Sequence, residues 1–297
     1  MQLGLIGLGK MGNNMRTRLQ NAGIEVVGYD TNPELSDVAD YAELASRLEA
    51  PRTVWSMVPA GPITRSVITE LSDVLEAGDL VIDGGNSKFT DDFTHSSLLA
   101  EKGIDFVDVG VSGGVWGLQN GYGLMAGGAD EQIERIMPVF DALRPEGPRD
   151  EGFVHVGPVG AGHYAKMVHN GIEYAMMQAY AEGYELLQSR DDLITDVTGT
   201  FKAWQRGTVV RSWLLELLVL ALEQDPAFED IDDYVADSGE GRWTVEEAVD
   251  RKVPMPAIAA SLFARYVSQE DYSPAMKAVA ALRQQFGGHA VKPSADG

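Results

Sequence analysis

Lys166, His169, Asn170 and Glu173 bring a base, an imidazole that can shuttle a proton or hydrogen-bond, an amide and an acid to spacings of three, four and seven residues. On an α-helix those steps rotate roughly −60°, +40° and −20° from Lys166, so the four side chains share one narrow stripe. Such a stripe is the layout of a reaction centre. The neighbours Met167, Val168, Ile172, Ala175 and Met176 are apolar, which predicts a helix inside packed structure with its polar stripe facing a cleft. Buried polar groups need partners, and a bound substrate could supply them. Taken alone the stripe equally fits a solvated helix face, because Lys and Glu are common there. The preceding run Gly157-Pro158-Val159-Gly160-Ala161-Gly162 favours a site: its glycines let backbone and ligand approach closely just before His163 and Lys166.

The elements that must position this stripe start at residue 3. Leu3-Gly4-Leu5-Ile6 reads as a buried strand, and Gly7-Leu8-Gly9-Lys10-Met11-Gly12 follows it before a helical segment through Leu19. This is the G-x-G-x-x-G pattern of a dinucleotide loop, with Gly7, Gly9, Met11 and Gly12 against the cofactor. A second apolar strand, Ile24 to Tyr29, ends in Asp30, 18 positions after Gly12. An acidic side chain there can accept hydrogen bonds from the adenosine ribose and would repel a 2′-phosphate. Asp30-Thr31-Asn32 also lacks an arginine for that phosphate, so NAD is favoured over NADP; as a bland alternative, Asp30 could form a turn ahead of Asn32-Pro33.

Further strand-like runs recur at Thr53 to Val58, Leu80 to Asp83, Phe106 to Val109, Leu124 to Ala126 and Phe153 to Val156, with helical patterns between them. The alternation predicts an α/β Rossmann-type, doubly wound and mainly parallel sheet. Ligands gather beyond the carboxyl ends of such strands, where Met57-Val58-Pro59-Ala60-Gly61, Asp83-Gly84-Gly85-Asn86-Ser87 and Val111-Ser112-Gly113-Gly114 fall. After Gly160 the pattern is helical, with runs at Tyr164 to Leu187, Val209 to Glu223 and Pro256 to Val267, so the C-terminal domain is expected to be all-α. The expected division is a dinucleotide domain over 1–159, a helical substrate and dimerisation domain over 160–284 and a tail over 285–297. Acidic Asp225 to Asp237 reads as a surface connection, and Val291 to Gly297 as loose.

Composition narrows the classes. The chain has 297 residues, 44% of them hydrophobic, and no cysteine; it is globular and makes neither disulfides nor thiolate metal sites. Five scattered histidines without H-x-x-x-H or H-E-x-x-H spacing give no evident metal ligand set, and no metal is expected. Trp213 to Leu222 is too short to span a bilayer and contains Glu216. The opening residues run directly into the glycine motif rather than through a signal peptide, so a soluble cytoplasmic protein with no membrane partner is expected. Forty-five acidic residues against 23 basic ones give a net charge of −22, which argues against nucleic acid as a partner. Self-repulsion at that charge destabilises the fold at low ionic strength, and salt screens it. A salt-rich, halophilic cytoplasm is therefore expected, and the melting temperature should rise as salt is raised to molar levels; equal values with and without salt would contradict this.

Several blocks together carry a resemblance. They are Gly7-Leu8-Gly9-Lys10-Met11-Gly12-Asn13-Asn14, Asp83-Gly84-Gly85-Asn86-Ser87, Ser112-Gly113-Gly114, the run from Gly160 to Tyr174, Gly239-Glu240-Gly241-Arg242-Trp243-Thr244, Phe263-Ala264-Arg265, and Arg283-Gln284-Gln285-Phe286-Gly287-Gly288-His289. The sequence resembles the 6-phosphogluconate dehydrogenase family, in its short form without a second helical repeat. The resemblance implies oxidation of the C3 hydroxyl of 6-phosphogluconate with a nicotinamide cofactor, then loss of C1 as carbon dioxide to give ribulose 5-phosphate in the pentose phosphate route. It implies Lys166 as base, Glu173 as the acid that protonates C1 of the enediol left by that loss, and His169 and Asn170 beside them. Val58 and Asn86 would join the glycine loop at the cofactor. Asn86, Ser112, Gly113, Gly114, His169 and Asn170 would orient the carboxylate and hydroxyls, and Tyr174, Arg265, Arg283 and His289 the phosphate. It also implies a homodimer or homotetramer whose C-terminal tail completes a neighbouring subunit's site. Thr31 stands where NADP-using members commonly carry arginine. The rival readings are a 3-hydroxyacid dehydrogenase, which does not decarboxylate, and a non-catalytic NAD-sensing module.

Overall fold

The hydrophobic alternation predicts a mainly parallel sheet, and the computed structural model, which describes residues 1–287 and 290–292, contains one of seven strands. Strands β1 (Gln2–Ile6), β2 (Glu25–Tyr29), β3 (Thr53–Ser56), β4 (Leu80–Asp83), β5 (Asp105–Ser112), β6 (Gly123–Gly127) and β7 (Phe153–Gly157) lie in the order β2-β1-β3-β4-β5-β6-β7. Every neighbouring pair is parallel except β5 with β6. Strands β3 and β4 are buried at every residue, as strands covered by helices on both faces must be.

Side chains alternate between two cores, because successive residues of a strand point to opposite faces. Leu3, Leu5, Trp55, Ile82 and Val107 face one core, closed by Met15 and Leu19 of α1 (Lys10–Asn21) and by Val139 and Phe140 further along the chain. Ile6, Val27, Val54, Val81 and Phe106 face the other, closed by Leu44 of α2 (Tyr41–Arg47), Ile68 and Leu71 of α3 (Pro62–Val74) and Leu99 of α4 (Phe89–Ala100). That is the doubly wound arrangement expected. Short helices α5 (Gly117–Asn120), α6 (Asp130–Arg135) and α7 (Met137–Leu143) complete this part before α8 (Ala161–Gln188) begins.

Strand ends differ from expectation for local reasons. β3 stops at Ser56 rather than running to Val58; Pro59 has no N–H to donate and restricts the residue before it. β5 runs on to Ser112 because, beyond the stretch paired with β4, Val109 to Ser112 pair antiparallel with β6. The remaining helices are α9 (Val197–Trp204), α10 (Trp213–Gln224), α11 (Glu240–Asp250), α12 (Pro256–Val267) and α13 (Pro274–Gly287). α10 starts at Trp213, later than Val209, because Ser212 caps it by accepting the Leu215 N–H at 3.1 Å.

The chain forms two compact units. One comprises Met1–Ile172 with Glu240–Lys252, and the other comprises Glu173–Gly239 with the described residues from Val253 onward. The first unit therefore includes the N-terminal turns of α8 and all of α11. Gly171 explains how α11 comes so close: a Cβ there would lie 2.7 Å from Thr244 Cγ2, and Thr244 Oγ1 lies 2.8 Å from the Met167 carbonyl oxygen. The second unit is helical, with no strand among the described residues, and packs Phe201, Leu215, Val219 and Leu222 at its centre. Asp225 to Asp237 forms no helix or strand, as its charge pattern predicts. Among the described residues no helix is long and apolar enough to cross a membrane.

Candidate active site

The three glycines of the first loop each meet a different demand. Gly7 has φ +86°, and a Cβ there would lie 2.8 Å from the Met57 carbonyl oxygen. Gly12 packs so closely that a Cβ would fall 1.9 Å from the Gly7 carbonyl oxygen. Gly9 is different: a Cβ there would meet nothing within 4 Å, and as the residue capping α1 it uses no side-chain hydrogen bond. Tight turn, close packing and open backbone at a helix N-terminus are what a pyrophosphate requires. Met11 packs against the core beneath the loop, and Val58 Cγ1 lies near Gly7.

Asp30, beyond the end of β2, is tied to this loop. Its Oδ2 accepts the Leu8 N–H at 2.6 Å and its Oδ1 accepts the Asn32 N–H at 2.8 Å. The carboxylate is thus held beside the glycine loop, where an adenosine ribose would lie, while Thr31 is exposed. The residues present fit a dinucleotide.

The polar stripe sits on α8, and its members are not equally exposed. Lys166 and Asn170 are buried at 7% and 8% exposure, Glu173 is intermediate, and His169 is exposed. Lys166 Nζ donates to Asn170 Oδ1, and His169 Nδ1 lies 3.2 Å from the same oxygen. An amide oxygen accepts, so His169 can donate to it from Nδ1, while its Nε2 lies 3.4 Å from Ser112 Oγ. Ser112, His169, Asn170 and Lys166 therefore form one connected polar chain at the carboxyl end of β5. The apolar neighbours divide: Met167 is buried, but Ile172, rotated roughly 120° from Lys166, is half exposed.

Other expected residues fall at strand ends or on other helices. Gly113 and Gly114, with φ +137° and +53°, carry the chain away from Ser112 through conformations that favour glycine. Asn86 is exposed on the loop after β4. In the helical unit, buried Tyr174 has the Arg265 guanidinium 3.4 Å above its ring, and its hydroxyl lies 3.1 Å from Ser238 Oγ. Arg265 also donates to the Ala236 carbonyl oxygen at 2.9 Å, so an aromatic ring and a backbone carbonyl hold this cation. Arg283 is exposed on α13. His289 lies outside the described residues.

Sequence reasoning missed the groups behind the stripe. Asp92 on α4, Asp108 on β5 and His163 on α8 are 0%, 0% and 1% exposed. His163 Nδ1 lies 3.0 and 2.9 Å from the two Asp92 carboxylate oxygens. The donor atoms of Asp92, Asp108 and His163 lie within 4.8 Å of one another, as do those of Asp83, Asp92 and His95; His163 itself supplies positive charge to the first set. A signal was available for Asp108, a charged residue inside the apolar strand Phe106-Val107-Asp108-Val109.

Burial alone would push the His163 imidazole down, but the Asp92 carboxylate, with Asp83 and Asp108 behind it, raises it from 6.5 to about 9. Burial pushes Asp92 up from 3.8 to about 7 against the pull of His163. Both groups thus hold protons more tightly in the folded chain. The His163 contribution to stability is complete below 6.5 and lost as pH rises through about 9; that of Asp92 is lost from 3.8 to about 7. Between pH 7 and pH 9.5, wild type should lose more thermal stability than His163→Gln does, as read by melting temperature; parallel curves would contradict the assignment.

Residues 2–146 match the family model described as the NAD binding domain of 6-phosphogluconate dehydrogenase, and residues 162–293 match the 6-phosphogluconate dehydrogenase C-terminal domain. The chain is 41% identical to an NAD(+)-dependent, decarboxylating 6-phosphogluconate dehydrogenase of Haloferax volcanii, over 98% of each chain. It is 37% identical to a protein of the same description from Bacillus subtilis, covering 90% of this chain but 61% of that one. Among solved structures, Plasmodium falciparum 6-phosphogluconate dehydrogenase, determined with its cofactor NADP+ and with its substrate 6-phosphogluconate, superposes with a TM-score of 0.76 at 26% identity, covering 100% of this chain and 67% of that chain.

Proposed function

Because the chain belongs to the 6-phosphogluconate dehydrogenase family, we propose that it oxidises and decarboxylates 6-phosphogluconate to ribulose 5-phosphate and carbon dioxide, using NAD in preference to NADP. The observation that carries the reading is the buried amine of Lys166, hydrogen-bonded to Asn170 and continued through His169 to Ser112 at the carboxyl end of the sheet.

Lys166 takes the proton of the C3 hydroxyl. An amine does so only when neutral. A nicotinamide held by the glycine loop and Asp30 would supply the oxidising power, as the acceptor of the hydride that leaves C3. Once protonated, the Lys166 ammonium polarises the new C3 ketone, so that loss of the C1 carboxylate leaves a stabilised enediol. Glu173, two helical turns along α8 from Lys166, returns a proton to C1 of that enediol, the carbon that was C2 of 6-phosphogluconate.

Ser112, Gly113, Gly114, Asn86 and His169 orient the carboxylate and hydroxyls, and Asn170 holds Lys166 in place. Arg265, fixed over the Tyr174 ring, takes the phosphate with Arg283 and His289; Arg suits that group because its planar fork binds it bidentately. Gly7, Gly9, Met11, Gly12, Asp30 and Val58 hold the cofactor, with Asn86 beside it. The carboxylate of Asp30, and the words NAD(+)-dependent in the names of the Haloferax and Bacillus relatives, support NAD; the Plasmodium structure uses NADP+. The enzyme works as a homo-oligomer whose tail completes a neighbouring site, in a cytoplasm rich in salt and in the pentose phosphate route; the family resemblance and the net charge of −22 support this.

The test is purified protein in high salt with 6-phosphogluconate and NAD. One carbon dioxide should be released per NADH formed. NADH without carbon dioxide would point to a non-decarboxylating hydroxyacid dehydrogenase, and no NADH would refute turnover of this substrate.

A further inference from the structure

The catalytic roles leave Asp92, Asp108 and His163 unused, although burying three ionisable groups is costly unless each is paired. Their bonds converge on one turn of helix. Asp108 Oδ1 accepts the Gly160 N–H at 2.6 Å and Oδ2 accepts the His163 N–H at 2.8 Å, satisfying amide groups that the start of α8 would otherwise leave unpaired. Asp92, from α4, holds the His163 ring through Nδ1. The turn is thus gripped from β5 through its backbone and from α4 through a side chain.

Lys166 follows His163 by one turn, and its stem lies against the same strand. A Cβ at Gly110 on β5 would fall 2.4 Å from Lys166 Cβ and 3.1 Å from its Cγ. At Gly162 a Cβ would fall 2.6 Å from the Asp108 carbonyl oxygen. Glycine at both contacts lets the helix approach the strand closely, and the Lys166 stem fills the space that a side chain at Gly110 would take. Apolar contact is non-directional, whereas hydrogen bonds to fixed acceptors are directional. The polar grip therefore adds directional contacts to this close packing of α8 on β5.

We propose that Asp92, Asp108 and His163 are positioning residues that clamp the first turn of α8 to α4 and β5 and so set where the amine of Lys166 is delivered. This rests on the reading of Lys166 as the base. A misplacement of about 1 Å in a reacting group can cost on the order of 10²-fold in rate. Groups facing His163 are Asp92 from α4, Asp83 from β4 and Asp108 from β5, so a neutral replacement of Asp92 leaves negative charge nearby but removes the directed contact.

The experiment uses full-length Asp92→Asn, His163→Gln and the double variant. Each single variant should lose at least tenfold in kcat, with KM for 6-phosphogluconate and NAD within threefold of wild type. The double variant should be no worse than the poorer single, because the two residues act as one unit. Lower melting temperature with unchanged kcat, or multiplying losses in the double variant, would overturn the proposal. A second readout needs no turnover: acylation of Lys166 by acetic anhydride, measured by peptide mass spectrometry against exposed Lys252 and Lys277. Its relative rate should change at least threefold in the single variants, and an unchanged rate overturns the clamp. Wild type inactive on 6-phosphogluconate would refute the functional reading, while the labelling would still decide this one. Should the single variants fail to fold, Asp108→Asn, which keeps one accepting oxygen, decides by the same readouts.

Discussion

Replacing Lys166 with methionine should lower kcat for NADH formation by about 10⁴-fold or more while leaving NAD binding unchanged. General base catalysis by a positioned side chain is worth about 10²–10⁴-fold, and a charge aimed at a developing oxyanion adds about 10²–10³-fold. Lys166 is proposed to serve both purposes in turn, so the losses combine; 10⁴-fold corresponds to about 5.5 kcal/mol of barrier. Methionine keeps an unbranched apolar stem in the place where the lysine stem meets Gly110, which separates chemistry from packing. NADH formation within about tenfold of wild type would remove Lys166 from the role of base.

The second large effect concerns the cofactor. Asp30→Ala combined with Thr31→Arg should move the ratio of kcat/KM for NADP over NAD upward by about 10²–10³-fold. Unit charges 4 Å apart at an effective dielectric of about 20 interact by about 4 kcal/mol. Screening at a partly exposed carboxylate reduces this to about 1–2 kcal/mol, and a charge-assisted arginine contact adds about 1.5–3 kcal/mol. Asp30 also accepts the Leu8 N–H, so the variant should lose some affinity for both cofactors; only the ratio is diagnostic. An unchanged ratio would mean that the ribose lies elsewhere.

What the sequence made legible was whatever local periodicity controls. Each strand of the sheet was anticipated in order, because buried parallel strands read as short apolar runs between turn residues. The stripe from Lys166 to Glu173 was legible because spacing on one helix fixes which side chains share a face. What escaped depends on contacts between residues far apart in the chain. Asp92 and His163 are 71 positions apart, and nothing local shows that they pair. Gly171 looks like any helical glycine until Thr244 is found against it. The helical pattern read after Gly160 is α8, one uninterrupted helix from Ala161 to Gln188; that its first turns belong to one compact unit with the sheet, as far as Ile172, is a matter of contacts and not of periodicity. Arg265 could be named from resemblance, but its seat on the Tyr174 ring required coordinates.

A structure with 6-phosphogluconate and NAD bound would test the role of Lys166 most directly. Its Nζ should stand within about 3.2 Å of the C3 hydroxyl oxygen, the reach of a proton transfer. An Nζ turned away from that hydroxyl and more than about 6 Å from it, with another basic group in contact, would contradict the mechanism.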